Sequence, residues 1–148
     1  MTAPSCRTCA HEAAPGGLPP RERIAGDDHW RVAHALGTSL PGWLVLIPRR
    51  HVTAVAGLTD AEAAGLGLWQ VRLSRALERL TGCPKTYVAQ FAEAEGFPHV
   101  HFHLVPRQVD LPPRLRGPGV FGLLGVGPDE AVTAERMDEI ALALRALL

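Results

Sequence analysis

Three histidines, His99, His101 and His103, alternate with Val100, Phe102 and Leu104. In an extended chain, successive side chains point to opposite faces. The spacing therefore puts the imidazoles on one face and the apolar groups on the other. Neighbouring histidines on that face stand about 6 to 7 Å apart along a strand, whereas a helix would scatter them around its circumference. Such a row has two chemical uses. Imidazoles at i and i+2 can grip one metal ion, histidine being the commonest metal ligand. Alternatively, a neutral imidazole attacks an electrophile while neighbouring groups hold its tautomer. A merely solvated strand face would be built from Thr, Lys, Arg or Glu instead.

A second cluster of reactive types stands at the start, Cys6-x-x-Cys9. A redox pair would accompany a thioredoxin-like βαβ pattern, which the chain lacks. Zinc needs two further ligands to close a tetrahedron, and His11, His29, His34, His51 and the alternating histidines are the candidates. Cys83 is left over and reads as a small buried residue.

These groups need a scaffold. The chain has 148 residues, 47% of them apolar, which is enough for one domain with a real core. Lys plus Arg equals Asp plus Glu at 15 each, and the arginines are scattered, so nothing pulls the chain towards nucleic acid or an acidic membrane. No apolar run reaches the ~18 residues of a membrane span. The start, Met1 to Cys6, lacks the pattern of an export signal, so a cytoplasmic protein is expected. No glycine-rich phosphate loop is present.

Residues 13 to 21 read as a Pro/Gly loop. His29–Ala35 and Gly42–Ile47 read as strands, the second nearly all apolar and ending at Pro48. Thr59 and Glu62 have capping-box spacing. Leu66, Trp69, Leu73, Leu77 and Leu80 then form one helical stripe that Gly82 ends. Thr86–Phe91 and Pro98–Pro106 read as further strands. An irregular arm follows over about 108–128, and a C-terminal amphipathic helix over about 134–148 carries Met137, Ile140, Leu144 and Leu147. Trp69 belongs to the helix stripe, and Trp30 and Trp43 are assigned to the core. The order predicts an α+β fold, an antiparallel sheet of about five strands with helices packed on one face, in a single domain over 1–148.

The string His-Val-His-Phe-His-Leu-Val, 99–105, resembles the signature of the histidine triad (HIT) family, His-φ-His-φ-His-φ-φ with φ apolar. Leu44 to His51 is similar to that family's strand ending in Pro, two basic residues and His, and Pro106-Arg107 is a familiar continuation. The resemblance spans most of residues 30–107. It implies a HIT-like fold and a nucleotidyl hydrolase or transferase acting on a phosphoanhydride or phosphoramidate, as a dinucleoside polyphosphate hydrolase or phosphoramidase does. His101 would attack the α-phosphorus and carry a nucleotidyl-imidazole intermediate. His103 would donate a hydrogen bond to a phosphate oxygen or the leaving group. Zinc-containing bacterial members suggest a structural zinc on Cys6, Cys9, His51 and His99, tying an N-terminal arm of about residues 1–20 to the sheet. Gln90 and Arg107 would contact the nucleotide, and the family often forms homodimers by joining sheets edge to edge.

The chain also departs from the pattern. Arg31 to Leu36 has no acidic residue where members contact the ribose, and the Gly-Gln pair before the triad is absent. Two rivals follow: a nucleotide-binding module with weak catalysis, and a metal-dependent hydrolase using the triad as ligands. The second needs a carboxylate ligand, and the nearest, Asp110, lies beyond the strand.

Overall fold

A computed structural model describes residues 6–14 and 17–148. Residues 1–5 of the expected N-terminal arm, and 15 and 16 of the expected loop, lie outside the described residues. The elements are α1 (Arg7–Glu12), β1 (Ala25–Gly26), β2 (Trp30–His34), β3 (Leu44–Pro48), α2 (Asp60–Thr81), β4 (Lys85–Gln90), β5 (Phe102–Arg107) and α3 (Ala134–Arg145). The strands form one five-stranded sheet in the order β1-β2-β3-β5-β4, with every pairing antiparallel. This is the expected α+β architecture. Among the described residues no helix is long and apolar enough to cross a membrane.

The register explains the core. Leu44 lies opposite Leu104 and Leu46 opposite Phe102, so their side chains share one face. With Trp30 and Val32 they pack against Trp69, Leu73 and Leu77 of α2 and Ile140, Ala141 and Leu144 of α3. Burying each large side chain stabilises the fold by about 1.5–3 kcal/mol. The capping box forms as its spacing predicts. Thr59 Oγ1 accepts from the Glu62 amide and the Glu62 carboxylate accepts from the Thr59 amide. Gly82 ends α2 in the left-handed region, φ 71°.

The other face is covered by the arm after β5. Two 3-10 turns, Pro113–Leu115 and Gly117–Leu123, lay Leu111 and Val120 over Ala35, Trp43 and Val105. Prolines and glycines deny this segment a regular helix, yet its apolar side chains still close a second core.

Two short elements, α1 and β1, escape sequence analysis because neither is long enough to show a period. The fifth strand is also shorter than expected. The ladder begins at Phe102, so His99 and His101 precede it. The physical reason is loss of partners: β3 meets β5 only from Leu44 to Leu46, and β4 ends at Gln90 opposite Phe102. The segment stays extended through one bond, from the Val100 amide to the Val52 carbonyl at 2.8 Å.

Candidate functional site

Although His99 and His101 lie outside the ladder, the alternation persists. Val100, Phe102 and Leu104 are buried in the helix-side core, and the imidazoles turn the other way. There the row divides into a metal-binding corner and a reactive pair.

Cys6, Cys9, His51 and His99 each present one donor atom, and the four lie within 4.8 Å of one another. Cys6 caps α1, its sulfur accepting from the Cys9 amide at 3.5 Å, which turns both thiols inward. His51 comes from the turn that Pro48 starts, and His99 from the segment before β5. His99 Nδ1 stands 3.8 Å from Cys6 Sγ and 3.5 Å from Cys9 Sγ, and His51 Nδ1 is 3.1 Å from Cys9 Sγ. A zinc tetrahedron with Zn–S of about 2.3 Å and Zn–N of about 2.0–2.1 Å has an S···N edge of about 3.5 Å, so the corner has the right size.

The chemistry agrees. His99 Nε2–H donates to the Pro48 carbonyl at 2.6 Å, which leaves the Nδ1 lone pair facing the thiols, as an outer hydrogen bond fixes a metal-ligating imidazole. Burial holds the His99 pKa below the ordinary imidazole range, keeping that lone pair available. Burial, and then Cys6 beside it, push the Cys9 thiol up to about 11. Two thiolates cannot share this corner unless a cation lies between them. Cys6, Cys9, His51 and His99 fit a structural zinc. Of the other candidates, His11 pairs with Glu22 at 3.3 Å, buried His34 accepts from the Gly42 amide at 3.0 Å and donates to the Ala35 carbonyl at 2.8 Å, and exposed His29 lies outside the cluster.

His101 and His103 form the reactive pair, with ring centroids 4.8 Å apart. His101 is half-buried, and its Nδ1–H donates to the His99 carbonyl at 2.8 Å. Its Nε2 is therefore the unprotonated nitrogen. His103 is buried, and its Nδ1 accepts from Trp43 Nε1–H at 3.0 Å, so its Nε2 carries the proton. Burial, and then the neighbouring His101, push the His103 pKa down to about 4. In their neutral forms the two rings thus pair a nucleophilic nitrogen with an N–H donor, each tautomer set by one outer hydrogen bond.

Other expected contacts are placed elsewhere. Gln90 lies opposite Phe102 and so belongs to the helix-side face, whereas Ala89 stands opposite His103. Arg107 shares the His103 face but sits four residues further along β5, opposite Lys85 and roughly 13 Å from His103 at the rise of a strand. Its Nε is buried with no hydrogen-bond partner among the described residues. Arg49 and Arg50 are engaged by Glu12 and Glu62 respectively.

Sequence reasoning missed the aromatic lining. Trp43 is fully buried, as expected of a core residue, yet its indole N–H is the group that orients His103. Phe121, from the 3-10 arm, stacks edge-on against Trp43, His103 and Phe91 at centroid distances of 5.1–5.3 Å. Nothing local marks these residues. Trp43 becomes a partner only because β3 and β5 pair, and Phe121 only because the arm folds back.

No sequence-family profile matches the chain, and no curated protein matches it by sequence. Solved structures do match. A histidine triad protein from Sinorhizobium meliloti superposes with a TM-score of 0.70 at 22% identity, over 86% of this chain and 89% of that one. One from Bradyrhizobium japonicum gives 0.67 at 26% identity, over 84% and 87%. A zinc-bound histidine triad family protein from Mycobacterium smegmatis gives 0.67 at 21% identity, over 97% and 92%. The chain has the fold of the histidine triad proteins, and its alternating His99, His101 and His103, which resemble their motif, lead into the fifth strand.

Proposed function

We propose that the chain is a nucleotidyl hydrolase or transferase that cleaves a phosphoanhydride or phosphoramidate bond through a covalent intermediate on His101. The observation that carries this reading is the opposed tautomers of His101 and His103. The His101 Nε2 lone pair attacks the α-phosphorus, forming an N–P bond as the bond from phosphorus to the leaving group breaks. The adduct imidazole becomes cationic, and the His99 carbonyl already accepts its Nδ1–H, which stabilises that charge. His103 Nε2–H donates to a phosphoryl or leaving-group oxygen, a bond that strengthens as negative charge accumulates there. Water then attacks phosphorus, the N–P bond breaks with its electron pair returning to Nε2, and nucleoside monophosphate leaves. The zinc corner stands apart from these steps. It anchors His99, and through the His99 carbonyl it orients the nucleophile.

The test is a panel of adenylated anhydrides and phosphoramidates given to the purified protein. Monophosphate release, a trapped nucleotidyl adduct located at His101, and loss of both in His101→Ala are expected. Turnover that persists in His101→Ala would end the proposal. A nucleotide-binding module with weak catalysis is the second reading, favoured by the absence of a carboxylate at Ala33 or Ala35 and by the placement of Gln90 on the opposite face. Tight nucleotide binding without adduct would establish it. Use of all the triad histidines as metal ligands is disfavoured, because among the described residues His99 alone of the three belongs to the metal corner. A homodimer is also proposed, joined along β4, an edge strand that leaves Val88 half-exposed. Light scattering reads it, and a monomer at micromolar concentration would remove it.

A further inference from the structure

At the β1–β2 end of the sheet lies a cavity of about 510 Å³, and no triad histidine lines it. Its chemistry is unusual for a chain of zero net charge. Four guanidiniums line it, from Arg23, Arg31, Arg49 and Arg145, and the lining includes one carboxylate, Glu12. Glu12 already bonds both Arg31 and Arg49, and Arg31 is also held by Glu22. Arg23 and Arg145 have no carboxylate partner among the described residues.

The guanidiniums are also pinned. Arg23 Nε donates to the Leu18 carbonyl at 2.6 Å, Arg49 Nε to the Asp27 carbonyl at 2.7 Å, and Arg145 Nε to the Ile24 carbonyl at 3.2 Å. Each bond uses the inner nitrogen of the fork and fixes the plane of the group; Arg145 Nη2 also donates to the Arg23 carbonyl at 2.7 Å and Arg49 Nη1 to Glu12, which leaves the remaining outer nitrogens of the three forks for something else. Gly26 makes room for this arrangement, since a Cβ there would meet Arg49 Nη2 at 2.8 Å and the Trp30 carbonyl oxygen at 2.7 Å. Counting Glu12 and Glu22 against the four arginines leaves a local excess of two positive charges (4 − 2). Arg23 and Arg145 are solvent-exposed at the cavity and keep their charge, and fixed fork-shaped donors around a cavity of ligand size match phosphate oxygens.

We propose that this cavity is a second anion site, separate from the triad, that binds a phosphate-bearing small molecule through Arg23, Arg49 and Arg145. The proposal does not depend on the reading of the histidines. Calorimetric titration of the zinc-loaded protein with inorganic pyrophosphate at low salt tests it. One site is expected. It should weaken about tenfold or more in Arg49→Gln and in Arg145→Gln, because each loses a charge-assisted bond. It should tighten in Glu12→Gln, which frees the donors that the carboxylate occupies, and stay unchanged in His101→Ala. Arg49 is 41% exposed, so that variant decides the matter even if Arg145→Gln folds poorly. Absence of binding, or binding that is lost in His101→Ala and kept in Arg49→Gln, would overturn the proposal.

Discussion

Replacing Trp43 with Phe removes a single donor from the wall of the site, and its consequences can be worked out beforehand. The indole N–H donates to His103 Nδ1 at 3.0 Å with both residues buried. Losing such a bond costs about 1 kcal/mol net, and leaving the buried Nδ1 without a partner costs a further ~1–3 kcal/mol. The smaller ring also loosens the edge-on contacts to His103 and Phe121, at 5.8 and 5.3 Å. Trp43→Phe should therefore unfold about 2–4 kcal/mol more easily in denaturant. The sharper effect is on the tautomer. Without the indole donor nothing holds the His103 proton on Nε2, and nitrogen NMR of the imidazole should change from a single Nε2–H form to a mixture. Trp30→Phe is the matched control. Trp30 is equally buried and its N–H also makes one bond, to the Glu62 carbonyl at 2.9 Å, so it should lose similar stability and leave His103 unaltered. An unchanged His103 tautomer in Trp43→Phe, or the same change in Trp30→Phe, would refute the reasoning.

Because the His103 pKa is held near 4 against an ordinary value of 6.5, the folded state resists a proton that the unfolded chain accepts. That contribution, about 3 kcal/mol, is fully present above pH 6.5 and is lost as pH falls towards 4. His103→Asn should show a shallower acid slope in this window, and an identical slope would contradict the assignment. Glu62 is held at about 2, chiefly by its hydrogen bonds to Arg50, so its contribution is complete above pH 4.5 and lost as pH falls towards 2. Discounted because Arg50 is 48% exposed, Glu62→Gln should cost about 1–2 kcal/mol at pH 7; an unchanged denaturation midpoint would show the pair to be idle. Mass spectrometry of the native protein should find one zinc held by the Cys6, Cys9, His51 and His99 corner. Chelation should then abolish hydrogen-exchange protection in α1 before it touches β2 or β3. Native protein without zinc would remove that assignment.

Short-range rules account for what was legible in the chain. The alternation from His99 to Leu104 survives where the ladder does not, because the period of two belongs to extended backbone and not to its hydrogen bonds. The Thr59–Glu62 box and Gly82 bracket α2 because caps are contacts between residues a few positions apart. The metal set needed the family resemblance, since spacing alone left several histidines open. Tertiary structure decided everything that depends on register. It put Gln90 on the face away from the imidazoles, carried Arg107 to the far end of β5, and brought Trp43 to His103 across sixty residues. It also set the tautomers of both reactive histidines, through a backbone carbonyl and an indole. An imidazole titrates near neutral pH by itself, so which nitrogen holds the proton is fixed by a partner that only the folded chain supplies.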